Sequence, residues 1–371
     1  MDFDFSDDQQ QLRDAVAKWV ERAYGFERRR AITRAGGFDR SVWNELAELG
    51  LTGLYVPEDD GGLGLTPVDG MVVMEELGRG LVAEPLSQAL IAGAVLGQHA
   101  DAALRAQWLP RVASGEALVV LAHQERRARH RLDVCDTRAT GGAAGWTLTG
   151  TKHIVPAGDQ ADAFLVPART DAGVELFLVE RTAAGVRTPG YLTQDGARAA
   201  DLHLNQAPAI RVTSDGQTVL EQAVDIGIAA LCAEGVGVMD RTLAITADYM
   251  NTRKQFGVAI ASFQALRHRI ADMKMQLELA RSMSYYATLK LLAPADERRR
   301  AIARAKVQLG QSMRFVSQQA VQLHGGIGVT DEYIVSHYFK RLTQMEMSWG
   351  DTLHHLGEVS TRMQDTAGVF A

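Results

Sequence analysis

Gln322-Leu323-His324-Gly325-Gly326-Ile327-Gly328-Val329-Thr330-Asp331-Glu332-Tyr333 is the stretch on which the fold turns, a glycine corner at the end of a helix. Ahead of it, Ile302, Ala305, Leu309, Met313, Val316, Ala320 and Leu323 recur at spacings of three and four, which keeps one face of an α-helix against a core. Gly325 and Gly326 supply positive-φ freedom and close backbone approach. They either stop the helix or let a polar ligand rest on bare amides. A second stripe of the same period runs through Leu266, Ile270, Met273, Leu277, Ala280, Ala287 and Leu291. Pro294-Ala295-Asp296-Glu297-Arg298 reads as the turn between two antiparallel helices, and long helices paired this way pack as a bundle.

Working outward, the texture changes twice. Ser6 and Gln9 form a capping box for a first helix facing inward with Leu12, Val16 and Trp19. Helical patterns continue through Trp43-Leu46-Leu49, Val68 to Leu77, Ser87 to Leu96 and Ala102 to Val112. From Ala117 the segments are short, β-rich and separated by Gly, Pro or Asp: 117–121, 146–149, 164–166, 174–179 and 200–204. From about 219 the helical period returns and stays. The spacing predicts an α+β chain of three parts, a helical domain over 1–115, a β domain over 116–218 and a helical bundle over 219–371.

Composition bounds the function. A chain of 371 residues, 46% hydrophobic, buries a large core. A net charge of -6 without a basic half argues against general nucleic-acid binding, which needs a concentrated basic face. The acidic start, Met1 to Asp8, shows no apolar signal segment, and no run reads as transmembrane. Cys135 and Cys232 are too few for a disulfide framework or a metal cluster, and a reducing cytoplasm fits best. His324, His354 and His355 have no metal-ligand spacing; the adjacent pair is expected to point to different sides of a helix.

Arg253-Lys254-Gln255-Phe256-Gly257 followed by Gln264, taken with Gln322 to Gly326, resembles the acyl-CoA dehydrogenase family of flavoenzymes. The resemblance covers nearly the whole chain. Pro57 to Gly64, Met74-Glu75-Glu76-Leu77-Gly78 and Gly150-Thr151-Lys152 with Gly158 match family segments in order. Within the family, Tyr191 to Gly196 and His337 to Arg341 resemble the small-subunit branch typified by pimeloyl-CoA dehydrogenase. The resemblance implies FAD as cofactor, an acyl-CoA substrate, an electron-transfer flavoprotein as acceptor, and a homo- or hetero-oligomer built as a dimer of dimers. It assigns Arg253, Gln255, Phe256, Gln264, Gln322, Gly325, Gly326 and Thr352 to cofactor binding, reaching across to a neighbouring subunit.

The residues give this chemistry a reason and also depart from it. Arg253 offers a forked cation for phosphate oxygens, or else is a solvated helix-end charge. Where relatives carry Thr-Glu-Pro and then Gly-Ser-Asp, this chain has His123-Gln124-Glu125 and Arg126-Arg127-Ala128-Arg129-His130. Where relatives place a Trp and a Thr or Ser beside the flavin ring, it has Ile154 and Pro156, and proline has neither N–H nor hydroxyl to offer. Asp351, in Ser348-Trp349-Gly350-Asp351-Thr352, is the candidate base for the α-proton, or a helix N-cap. Glu234, in an apolar setting that would raise its pKa, and Glu346 are further candidates. The arginine run from 126 to 131 reads as a solvated loop, or as a site for the phosphates of coenzyme A or the far carboxylate of a dicarboxylic acyl chain. The expected activity is FAD-dependent α,β-desaturation of an acyl-CoA thioester. The alternatives are a subunit that completes a partner's FAD site, a same-fold oxidase or monooxygenase, and a non-enzymatic helical binding protein.

Overall fold

A computed structural model describes residues 5–142 and 145–363; the acidic start at Met1 to Asp4 lies outside them. Six helices come first, α1 (Asp7–Ala23), α2 (Phe26–Ala35), α3 (Arg40–Glu48), α4 (Pro67–Gly80), α5 (Leu86–His99) and α6 (Ala102–Ala113). Eight strands follow, β1 (Val119–Leu121), β2 (Arg138–Gly142), β3 (Gly145–Pro156), β4 (Ala163–Thr170), β5 (Gly173–Glu180), β6 (Val186–Arg187), β7 (Gly190–Leu192) and β8 (Arg198–Thr213). The last part holds α7 (Gly216–Thr252), a hairpin of β9 (Lys254–Gln255) and β10 (Val258–Ala259), then α8 (Gln264–Leu289), α9 (Ala295–His324), α10 (Ile334–Met347) and α11 (Thr352–Met363).

Packing groups these elements differently from chain order. One compact unit takes the chain up to Arg29, then Met71–Val82 and everything from Ile228; the other takes Arg30–Gly70 and Ala83–Gly227. The first helical region is thus shared between two bodies.

In the first unit every residue of the α9 stripe is buried, from Ile302 through Leu323, and α9 packs against α8, α10 and α11. Pro294 is the N-cap of α9, so residues 295–298 begin that helix and the turn lies just ahead of them. The Ser6–Gln9 capping box of α1 is formed in both directions. The Glu-Glu-Leu-Gly motif owes its sequence to a close helix crossing. A Cβ on Gly78 would stand 2.2 Å from the Glu234 carbonyl oxygen of α7, and one on Gly237 would stand 1.8 Å from that of Glu75. With backbones this close, Glu75 reaches Arg281 of α8 and Arg79, and Arg79 and Arg281 both meet Asp240 of α7. Arg13 joins from α1. α7 is long and apolar enough to cross a membrane by length and composition, against the sequence reading, but its most apolar window is 94% buried within the fold.

In the second unit the strand order β1-β4-β2-β3-β8-β5 closes on itself, because β5 also pairs with β4 along eight residues. β1 and β4 are parallel; β3–β8, β4–β5 and β2–β3 are antiparallel. Closure removes most free edges. Inside lies an ion pair, Lys152 Nζ at 2.6 Å from Glu125 Oε1, with side chains 0% and 4% exposed. Glu125 also accepts from the Thr137 N–H and hydroxyl, the Asp136 N–H and the Cys135 thiol. Burial raises the Glu125 carboxyl, but Lys152 and these donors outweigh it and hold it at about 2.

That depression fixes a pH dependence. Because the folded carboxyl lies below its ordinary 4.5, its contribution to stability is complete above that value and is lost as pH falls toward 2. Glu125→Gln is expected to flatten this stretch of the acid-unfolding curve and to lower stability at neutral pH by about 3 kcal/mol, since Lys152 is left buried without its carboxylate. Urea titrations at stepped pH values measure both effects.

Candidate functional site

The Arg253 segment and the glycine corner are brought together by the ends of two helices. Tyr249, in the last turn of α7, stacks on His324 at 4.4 Å and donates its hydroxyl to the His324 carbonyl at 3.3 Å. Arg253 follows one turn later, its N–H bonded to Tyr249 O. The hairpin then reverses through Phe256 (φ 53) and Gly257 (φ 81), two left-handed residues that fit a two-residue turn, and Ile260 N–H closes back on Arg253 O at 2.8 Å. A phenylalanine held at positive φ with 92% of its surface exposed is doubly unfavourable within the chain itself.

The rest of this patch also faces outward. Arg253, Gln255, Gln264, Gln322, Gly325 and Gly326 are exposed, and among the described residues none of the four long side chains is hydrogen-bonded or ion-paired. A Cβ on Gly325 or Gly326 would meet nothing within 4 Å, and Gly326 does not have a positive φ. Among the described residues, nothing requires glycine at 326. Behind the corner, the His324 ring is 4% exposed; Nδ1 bonds Ala320 O at 2.8 Å and Nε2 has no partner among the described residues. Burial lowers its pKa, leaving Nε2 of the neutral ring as an acceptor.

A second locus surrounds Asp351. Lys306, 0% exposed on α9, donates Nζ to the carbonyls of Met345, Glu346 and Gly350 at 2.8–3.1 Å. Burial lowers the ammonium to about 8 against the opposing pull of Cys232, Glu346 and Asp351. A lone lysine on the apolar face of α9, one residue after Ala305, was the signal for it in the sequence. Asp351 Oδ1 accepts the His354 N–H at 2.8 Å and so caps α11. Glu346 takes the Thr352 N–H and hydroxyl at 3.1 and 2.6 Å and faces Arg314 at 3.2 Å. Burial raises the Glu346 carboxyl, but Thr352, Arg314 and Lys306 outweigh it, so it is held ionised and weakly basic. Thr352 therefore turns inward, against Gly310, rather than toward a ligand. Glu234 is ion-paired with Arg341 at 2.5 Å, an arrangement that the apolar setting in the sequence did not suggest. The His354 and His355 rings lie edge to face at 5.0 Å, not on separate sides of the helix, and among the described residues no three ligand-type side chains come together for a metal.

The third locus is on the β unit. The His153 N–H donates to Gln124 O at 2.9 Å, and this pairing brings the two divergent segments side by side. Ile154 is left-handed (φ 52) and half exposed, an outlier for a β-branched residue, and Pro156 ends β3. The arginine run is a turn of exposed side chains; Arg127 and Arg131 pair locally with Asp136 and Asp133.

A closed β unit and a helical unit with the exposed Arg253 and glycine-corner patch fit a flavoprotein oxidoreductase acting on acyl-CoA, and the comparisons show that class. The family described as acyl-CoA dehydrogenase, N-terminal domain matches residues 6–116, and its C-terminal domain matches residues 214–363. The chain belongs to the acyl-CoA dehydrogenase family. It is 29% identical to acyl-CoA dehydrogenase FadE27 of Mycobacterium tuberculosis across 99% of this chain and 100% of that protein. It is 30% identical to acyl-CoA dehydrogenase IpdE2 of the same organism across 90% and 91%. Among solved structures, a chain of the ChsE4-ChsE5 complex from Mycobacterium tuberculosis superposes with a TM-score of 0.91 at 29% identity, covering 99% of this chain and 100% of that one.

FAD, which the family uses, fits one half of the residues present. The open glycines and the Arg253, Gln255, Gln264 and Gln322 side chains, unpaired among the described residues, suit a nucleotide diphosphate. The segment expected to grip the flavin ring offers Pro156 and a strained Ile154 and does not fit. The cap geometry of Asp351 gives a direct test. Asparagine caps as well as aspartate, so Asp351→Asn is expected to keep the urea midpoint, while Asp351→Ala lowers stability by about 1 kcal/mol. Loss of turnover in Asp351→Asn with stability intact would give the carboxylate a chemical task beyond capping.

Proposed function

We propose that this chain is one subunit of a heteromeric, FAD-dependent acyl-CoA dehydrogenase and that it completes a flavin site carried chiefly by its partner. The reading rests on one observation: Arg253, Gln255, Gln264, Gln322, Gly325 and Gly326, the groups suited to a nucleotide diphosphate, are exposed, and among the described residues their side chains are unpaired. Arg253 would take the phosphate charge, Gln255, Gln264 and Gln322 would donate amides, and Gly325 and Gly326 would let the diphosphate approach backbone N–H groups. Phe256 would cover the nucleotide from water or seat against the partner. The complex named in the ChsE4-ChsE5 structure supports a heteromeric arrangement.

Bound FAD supplies a hydride acceptor, so that removal of an α-proton and a β-hydride yields the trans-2-enoyl thioester. This chain's three candidate carboxylates are each engaged, Asp351 as a cap, Glu346 by Thr352 and Arg314, and Glu234 by Arg341. The proton acceptor is therefore assigned to the partner. An electron-transfer flavoprotein as acceptor, a dimer of dimers and a cytoplasmic location belong to the same proposal.

Purified alone, the chain is expected to be colourless; co-expressed with its partner, it is expected to copurify with flavin that acyl-CoA bleaches. A yellow lone chain bleached by acyl-CoA would overturn the proposal. In the complex, Arg253→Gln is expected to weaken flavin retention about tenfold, the cost of one charge-assisted contact. Gly326→Ala should lose flavin while keeping the wild-type urea midpoint, because its Cβ meets nothing in this chain.

A further inference from the structure

The face of the β unit formed by β6, β8 and β3 carries a cleft that none of these roles uses. It is lined by Gly150, Thr151, Gly185, Arg187, His203 and Asn205. Strand register sets three of them in a row, Arg187 opposite His203 and His203 opposite Thr151, on neighbouring strands about 4.8 Å apart. Gly185 is what allows the row to form: at φ 80, with a Cβ position 2.1 Å from Asn205 O, no larger residue would let the turn before β6 close onto β8.

Val186 and Leu204 complete the lining, and its polar side chains are uncharged or cationic. Arg187 is exposed and, among the described residues, makes no ion pair or hydrogen bond. With Nδ1 of His203 accepting the Thr151 hydroxyl at 3.3 Å, Nε2–H is left to donate to a ligand. Asn205 adds an exposed amide, and no acid lines the cleft. Asp201, two residues along β8 on the same face, is already bonded to His153 Nδ1 and the Tyr191 hydroxyl, both at 3.1 Å. An unopposed guanidinium beside an imidazole N–H that the Thr151 hydroxyl orients is a donor set for an oxyanion.

We infer that Arg187, His203 and Thr151 form a binding site for a phosphate or carboxylate group. Two sources share this chemistry, the phosphates of a nucleotide moiety and a carboxylate at the far end of an acyl chain. The test titrates the full-length chain with pyrophosphate, glutarate and coenzyme A, following the histidine ring resonances and the heat of binding, in the wild type, Arg187→Gln, Arg187→Lys and His203→Gln. At least one anion is expected to shift the resonance that disappears in His203→Gln, and Arg187→Gln should weaken binding about tenfold, with Arg187→Lys in between. If pyrophosphate and coenzyme A respond and glutarate does not, the site takes nucleotide phosphates. The reverse pattern identifies the acyl carboxylate. An unchanged His203 resonance with all three anions, or equal affinity in Arg187→Gln, would overturn the inference. Arg187 is exposed, so its variants are expected to keep the wild-type urea midpoint, and flavin retention in the heteromer reports separately on the function proposed above.

Discussion

One ammonium group fixes the end of this chain. Lys306 reaches from the middle of α9 to three carbonyls at 345, 346 and 350, closing the C-terminal end of α10 and the segment after it. The Met345 carbonyl also accepts the Ser348 N–H at 3.3 Å, while a buried carbonyl left without any donor costs about 1–3 kcal/mol. With that segment held, Glu346 meets Thr352 and Asp351 meets the first turn of α11. Glu346, Thr352 and Asp351 are thus arranged by Lys306, a buried lysine beside the apolar stripe of α9.

Much of the fold follows from periodicity. The α9 stripe and the Ser6 capping box correspond to a buried face and a formed cap; of the second stripe, Met273, Leu277, Ala280 and Ala287 are buried on α8, Leu266 and Ile270 are half-buried, and Leu291 lies just past the helix end. Short strands were harder. β2, β6, β7 and the β9–β10 hairpin carry two to five residues each and have too few alternations to stand out. The division into two packing units was not legible at all, since it depends on contacts such as Gly78 against Glu234, 156 positions apart along the chain.

The candidate site divides in the same way. Arg253, Gln322 and the two glycines were readable as a set because a close family pattern survives around them. The engagement of Asp351, Glu346 and Glu234 was not, because each partner lies on another element or depends on cap geometry. Ile154 and Pro156 stood out as departures, and in the structure they fall where the backbone is strained and a strand ends.

The hairpin tip has one further consequence. Phe256 sits almost wholly in water on a turn whose two central residues are both left-handed, so the ring has little freedom to fold back for shelter. Covering a side chain of this size gains about 2 kcal/mol. Any chain that covers it therefore binds the folded form in preference to the unfolded one. Resistance to heat would then rise with the concentration of the assembled species, and a protomer diluted away from its neighbours would melt earlier than its own core suggests.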